Sequence, residues 1–367
     1  CIRDSLKKCV RLPVVTVGRI NDPLLADQII REGKADMVAF GRGLIADPYL
    51  IQKAFQGKFN DLRRCTACMD CRQRVVDLGL KMKCSVNADL GQEGESALLP
   101  VSKRKKVMII GGGPAGMEAA RIARLRGHRV SLYDRQKKLG GQLNLAITPP
   151  HKEELKNILE YLSHQMQALR IPLKLGVSVD SGVIQKTKPD VVIVATGSKP
   201  VQPSFDGGLP PKLLTPQEIL EKRLPKEENF LVMGGGSLGC ELAEYLAEKG
   251  KKVSVVEILD QIASDAESNA RKLLVQRLRE KEVSIYLRSR VQKFEGNRAI
   301  GVNERGERFE IPADIVVTAM GAQPNPPSFK GMEKMRPAPE IYPIGDCRQA
   351  GKIMQAIHDG NRLGRMI

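Results

Sequence analysis

Residues 107–134 read VMIIGGGPAGMEAARIARLRGHRVSLYD: a short apolar strand run, a glycine turn, a helical stretch, a second strand and a closing acid. Gly111 permits the tight turn, Gly113 lets the backbone approach a pyrophosphate at the helix N-terminus, and Gly116 allows close packing of helix on strand. Asp134, eighteen residues after the last glycine, falls where a carboxylate meets ribose hydroxyls. Residues 230–257, FLVMGGGSLGCELAEYLAEKGKKVSVVE, repeat the unit with Gly234, Gly236, Gly239 and Glu257 in the same roles. The interval from first glycine to acid is 23 residues in both copies. An internal repeat of this kind means two nucleotide-binding domains and an α/β fold with parallel sheets.

Ile258, Leu259 and Asp260 follow Glu257 with no arginine or lysine among them. A carboxylate there accepts from free ribose hydroxyls and repels a 2′-phosphate, so the second unit is predicted to prefer NADH over NADPH.

Four cysteines precede the repeats: Cys65, Cys68, Cys71 and, thirteen residues on, Cys84. Three thiolates in one loop with a fourth nearby can converge on a [4Fe-4S] cluster, which needs four soft, deprotonated sulfur ligands. A structural zinc site is the rival; it more often draws its thiolates as two separated Cys-x-x-Cys pairs. The other cysteines, Cys1, Cys9, Cys240 and Cys347, are scattered, which fits a reducing cytoplasm better than a disulfide framework.

Upstream of the cysteines, LPVVTVGRI at 12–20 reads as a strand ending in Gly18-Arg19, followed by a helix that Asp22 caps and Pro23 opens. ADMVAFGR at 35–42 repeats the pattern with Gly41-Arg42, and Asp47-Pro48 opens the next helix. Two such units suit the end of a parallel α/β barrel, whose last two loops often cradle a phosphate. Two units cannot close an eight-stranded barrel. With Cys1 first and no methionine before Met37, the chain is expected to be truncated, with six strands upstream.

The 367 residues exceed one core, and 42% hydrophobic with 28% charged residues are globular values. No apolar run is long enough to span a bilayer. The net charge of +17 invites a nucleic-acid reading, but the basic residues are dispersed and aromatics are only 4%, leaving few stacking platforms. The longest basic run, Lys103–Lys106, reads as a solvated linker. The four histidines, His128, His151, His164 and His358, read as packed or solvated side chains without a catalytic role.

Three shorter signals complete the order: LGGQL at 139–143, VVIVATG ending at Gly197, and IYPIGD ending at Asp346. Over residues 101–367 the chain resembles the two-dinucleotide-domain flavoproteins of glutathione-reductase type. It lacks the Cys-x4-Cys pair that the disulfide reductases among them carry. The whole order, barrel tail, four cysteines and two dinucleotide domains, resembles the multidomain old-yellow-enzyme-like NADH:flavin oxidoreductases, a group with 2,4-dienoyl-CoA reductase, enoate reductase and trimethylamine dehydrogenase.

The resemblance implies four regions. Residues 1–60 would be the last two βα units of an FMN-binding TIM barrel, and 61–100 a [4Fe-4S] segment. Residues 101–226 and 315–367 would form a discontinuous FAD domain, with an NADH domain inserted at 227–314. It implies FMN contacts at Gly18, Arg19, Gly41 and Arg42, and cluster ligands at Cys65, Cys68, Cys71 and Cys84. FAD contacts would fall at Gly111, Gly113, Gly116, Asp134, Gln142, Thr196, Gly197 and Asp346, and NADH contacts at Gly234, Gly236, Gly239 and Glu257. Electrons would pass from NADH through FAD and the cluster to FMN, and on to an activated C=C bond of an enone, enoate or acyl-CoA.

The Cys-x2-Cys-x2-Cys-x12-Cys spacing looks more like the trimethylamine dehydrogenase branch, which passes electrons outward to an electron-transfer flavoprotein, so an amine dehydrogenase stays open beside the ene-reductase. A non-catalytic electron-transfer or nucleic-acid-binding fragment is the third reading. Catalytic acids are expected on upstream barrel strands, so none is named, and assembly into a homo-oligomer stays open.

Overall fold

The computed structural model describes residues 2–94, 97–205, 207–208, 210–327, 329 and 337–367, with the side chains of 2–4 left aside, so Cys1 lies outside the described residues. The chain forms two units: residues 1–143, 154–196 and 326–367 make the first, and 144–153 with 197–325 make the second.

The first unit is built on five parallel strands in the order Glu340–Pro343, Val191–Val194, Lys106–Ile110, Arg129–Asp134 and Leu173–Leu175. The central strand is apolar on both faces because helices cover both, and Val107, Met108 and Ile109 are fully buried. The helix Pro114–Leu125 follows the glycine turn, and the terminal helix Ile353–Met366 packs along it through two glycines. A Cβ on Gly364 would stand 2.7 Å from Ile122 Cβ, and one on Gly360 would run into the Ala115 carbonyl and come within 3.0 Å of the Ala119 amide.

Before the cysteines, Val15–Thr16 pairs in parallel with Met37–Val38 across the helix Pro23–Arg31. Asp22 caps that helix by accepting from the Leu24 amide at 3.0 Å, as its sequence position requires. Both strands are two residues long, against the nine and eight read from sequence. Each has one strand neighbour among the described residues, and Leu12 and Val17 stay 73% and 68% exposed. A short helix, Arg42–Ala46, follows Gly41 directly; the one expected to open at Asp47-Pro48 starts at Leu50, and buried Asp47 instead holds the Tyr49 and Arg63 amides at 3.1 and 2.9 Å and the Lys53 ammonium at 2.6 Å.

The second unit has a parallel sheet ordered Ser284–Tyr286, Lys252–Val256, Asn229–Met233, Ile315–Thr318 and Leu213–Leu214. An antiparallel meander of Ser289–Glu295, Arg298–Asn303 and Arg308–Pro312 joins it, with a strand pair of Ser198–Pro200 and Ala322–Pro324. The domain boundaries at 226/227 and 314/315 are thereby corrected. Residues 197–226 and 315–325 belong with the second glycine unit, because fully buried Ile315, Val316 and Val317 pair directly with Phe230, Leu231 and Val232.

The linker reading of the basic run is also corrected at its end. Lys106 opens the central strand with its amide on Asp190 at 2.6 Å, and Lys105 pairs with Glu340 at 2.8 Å. No described helix is long and apolar enough to cross a membrane.

Gly360→Ala tests the helix pairing. Helix propensity alone would stabilise this change by about 1 kcal/mol, but the clash is with backbone, so a net loss of about 1–3 kcal/mol is expected. A lowered urea midpoint supports the packing; a raised one contradicts it.

Candidate functional site

The first glycine turn leaves the strand Lys106–Ile110 with Gly111 at φ 115°, where an added Cβ would collide with the Ala195 carbonyl. A Cβ on Gly116 would collide with the Gly111 carbonyl, so helix and turn touch at backbone distance. Gly113 differs: its φ of −77° suits any residue, and an added Cβ would meet nothing within 4 Å. It caps the helix without a side-chain hydrogen bond, leaving the amide edge open to an anion.

Asp134, 8% exposed, accepts from the Gly112 amide at 2.6 Å and from the Gln136 amide at 2.7 Å. The acid therefore fixes the turn, through a bond across 22 residues that sequence reading missed. The LGGQL loop lies against the same turn, with the Gly140 amide on the Gly112 carbonyl at 2.8 Å and room of only 3.2 Å between a Gly141 Cβ and Gly113 Cα. Exposed Gln142 follows on that loop; Thr196 is the last residue of the first unit's middle segment, and Gly197, at φ 75°, belongs to the second unit. Asp346 takes the Gly351 amide at 3.1 Å just before the terminal helix.

The second turn repeats the geometry. A Cβ on Gly234 would stand 2.5 Å from the Ala319 carbonyl oxygen, and one on Gly239 would collide with the Gly234 carbonyl. Glu257 accepts from the Gly235 amide at 2.6 Å and the Leu259 amide at 2.9 Å. Two features were not legible. Asp265 takes the Ser237 amide and hydroxyl at 2.8 Å, placing a carboxylate at this helix N-terminus beside Gly236. Residues 258–260 bring no cation of their own, but Arg288, remote in sequence, stands 3.7 Å from Asp260 and 2.7 Å from Glu304.

The four cysteines Cys65, Cys68, Cys71 and Cys84 line one small hollow, together with Arg42, Met69 and Ser85. The loop turns through left-handed Ala67 (φ 52°) and Met69 (φ 63°), a strain that persists only where the surroundings impose it. The Ala67 amide donates to Cys65 Sγ at 3.4 Å, and Cys68 Sγ lies 3.3 Å from Ser85 Oγ, which in turn bonds Asp70. Much of Cys68 is exposed at the residue level, but its thiol faces the hollow; loss of water and then the Asp70 charge push it up to about 11. Burial likewise raises Cys71 and Cys84. Among the described residues no three His, Cys, Asp or Glu side chains are arranged to hold a metal ion.

The terminal helix reaches this segment: His358 Nε2 lies 2.9 Å from the Cys84 carbonyl, and burial lowers its imidazole. Buried Glu118 binds Arg121 and Asn361, Asn361 receives Arg365, and Arg365 pairs with Asp89 at 2.7 Å. The other histidines are structural: His128 is buried between the Lys105 amide and the Ile367 carbonyl, and His164 meets Asp61 at 3.1 Å, while His151 is exposed. The Gly-Arg pairs diverge. Arg19 pairs with Glu154, whereas Arg42 donates to Met69 Sδ at 2.6 Å inside the cysteine hollow; added Cβ atoms on Gly18 and Gly41 meet nothing within 4 Å.

Residues 105–360 match the pyridine nucleotide-disulphide oxidoreductase family, and residues 3–61 match the NADH:flavin oxidoreductase / NADH oxidase family. An NADH oxidase of Thermoanaerobacter brockii is 38% identical over all of this chain and 57% of its own length. A bilirubin reductase of Mediterraneibacter gnavus is 36% identical over 97% of the chain and 55% of its own. The solved structure of a 2-naphthoyl-CoA reductase complex superposes with TM-score 0.91 at 30% identity, over 100% of this chain and 56% of that one. The chain thus spans somewhat more than half the length of these relatives. It belongs to the pyridine nucleotide-disulphide oxidoreductase family, and its two matched segments in this order make it a member of the old-yellow-enzyme-like NADH:flavin oxidoreductase group. It is a flavoprotein oxidoreductase of that group, yet Cys240 and Cys347 are each buried singly, without a disulfide.

The two glycines separate folding from binding. Gly113→Ala should keep Tm within about 2 °C yet weaken FAD binding at least about tenfold, whereas Gly116→Ala should lose both. Full flavin retention in Gly113→Ala contradicts the open-edge reading. In the metal-free chain, alkylation of Cys68 should still be accelerating at pH 10, because its thiol ionises near 11; a rate that levels off by pH 9 contradicts the desolvation.

Proposed function

We propose that the chain is the electron-input part of an ene-reductase, holding FAD on the first glycine turn, NADH on the second and a [4Fe-4S] cluster on Cys65, Cys68, Cys71 and Cys84. When bound, these groups supply hydride acceptance from NADH and single-electron transfer towards FMN, for reduction of an activated C=C bond in an enone, enoate or acyl-CoA. The observation that carries the reading is the convergence of four cysteine side chains on one hollow whose rim is tied by His358 to the helix that follows Asp346.

The residues suit these groups. The open amide edge at Gly113 favours a pyrophosphate, and Asp134 and Glu257 each retain acceptor capacity for ribose hydroxyls beyond their two amide bonds. Four thiols around a hollow, without a compact set of ligands for one ion, suit a cluster with each sulfur on its own iron better than a single zinc. The iron ions of such a cluster would deprotonate the raised thiols and hold them as thiolates. The Gly18 and Gly41 backbone is open to an FMN phosphate, with Arg42 at the cysteine side; Arg19 would have to leave Glu154 to join it. The 2-naphthoyl-CoA and bilirubin reductases among the relatives support a reductive role on small conjugated molecules.

Outward electron flow from an amine is the second reading, favoured by the Cys-x2-Cys-x2-Cys-x12-Cys spacing. Anaerobic purification should yield about four iron and four acid-labile sulfide per chain. Cys84→Ala should lose the cluster absorbance while keeping FAD. Stoichiometric zinc without sulfide would refute the cluster. Rapid bleaching of the flavin by NADH supports the inward direction, and its absence favours the amine reading.

A further inference from the structure

Arg288 links the two strands Ser284–Tyr286 and Ser289–Glu295 in a left-handed conformation, φ 48°, unusual for a side-chain-bearing residue. Its position is imposed from both sides. Its amide donates to the Leu259 carbonyl at 3.0 Å, and the next amide, of Ser289, donates to the Glu257 carbonyl at 2.9 Å. Glu257 in turn receives the Leu259 amide on its carboxylate. The backbones that carry Arg288 and Glu257 are therefore stitched side by side in the second unit, though 31 residues separate them in sequence.

Acid and arginine at this rim have opposite consequences for a dinucleotide. The carboxylate accepts from a free ribose diol, while a nearby arginine accommodates a 2′-phosphate. Here the arginine is present and half-exposed, yet its donors are turned to Glu304 at 2.7 Å and Asp260 at 3.7 Å. Two carboxylates thus face one guanidinium, and this group of side chains carries excess negative charge towards an entering phosphate.

We propose that Arg288 is a specificity-determining residue of the second dinucleotide site, a latent 2′-phosphate contact held off by Glu304 and Asp260 so that the site takes NADH. This rests on the reading of that unit as an NADH site. Glu304 lies on the turn between the strands Arg298–Asn303 and Arg308–Pro312 and bonds Arg288, not Glu257, so removing its charge frees the guanidinium while leaving the Glu257 amide bonds in place.

The test titrates the FAD-loaded chain with ADP-ribose and with 2′-phospho-ADP-ribose, by calorimetry at fixed ionic strength. Glu304→Gln should raise the affinity ratio of the phosphorylated to the plain ligand by on the order of tenfold, with ADP-ribose affinity kept within about twofold. Adding Arg288→Ala to that variant should abolish the gain. An unmoved ratio in Glu304→Gln, or a gain that persists without Arg288, overturns the proposal while leaving the NADH reading intact. If the unaltered chain binds neither ligand, the dinucleotide reading itself fails and the proposal with it. Melting curves of each variant exclude unfolding as the cause.

Discussion

Helix and glycine turn meet at backbone distance in both nucleotide units, and most of the functional geometry depends on that contact. At Gly116 and Gly239 no side chain fits, because the carbonyl of the first turn glycine occupies the space where Cβ would go. Holding the helix so close aims its first amides past Gly113 or Gly236 and lets the end of the next strand swing its acid onto the turn. Asp134 and Glu257 each bond the middle glycine amide at 2.6 Å. A carboxylate fixed in this way would lose little further side-chain freedom on meeting a ligand, which is how a fold preorganises a binding group.

The first unit extends this frame to the cysteines. Its terminal helix packs on the turn helix through Gly360 and Gly364, and the same helix carries His358 to Cys84 and Arg365 to Asp89. Glu118, Arg121 and Asn361 are buried between them, and breaking such a buried pair costs about 3–5 kcal/mol. The cysteine loop is thus attached to the flavin-type fold by specific bonds. For a chain read as passing electrons between a flavin and a cluster, a fixed attachment matters more than a strong one.

The glycine and acid roles were legible because they are local: strand, turn, helix and acid follow within 28 residues, and the Asp22 cap and its proline within two. What sequence reading missed lies in pairs remote along the chain. Arg288 reaches Asp260 across 28 residues, Arg42 reaches Met69 across 27, and Arg19 reaches Glu154 across 135. The domain boundary slipped for the same reason: Ile315–Thr318 is an apolar strand that would suit either sheet, and only its register against Phe230–Met233 assigns it. The cysteines line one hollow because three of them sit in a single short loop, which leaves their chain few alternatives.

Freeze-quench electron paramagnetic resonance after anaerobic mixing with NADH tests the central claim most directly, that the chain joins a dinucleotide-fed flavin to a cluster. The account predicts loss of flavin absorbance followed by a reduced-cluster signal at low temperature, the signal absent in Cys84→Ala and the flavin change reduced in Gly113→Ala. Full flavin reduction in the iron-loaded chain, with no cluster signal at any later time, would contradict it.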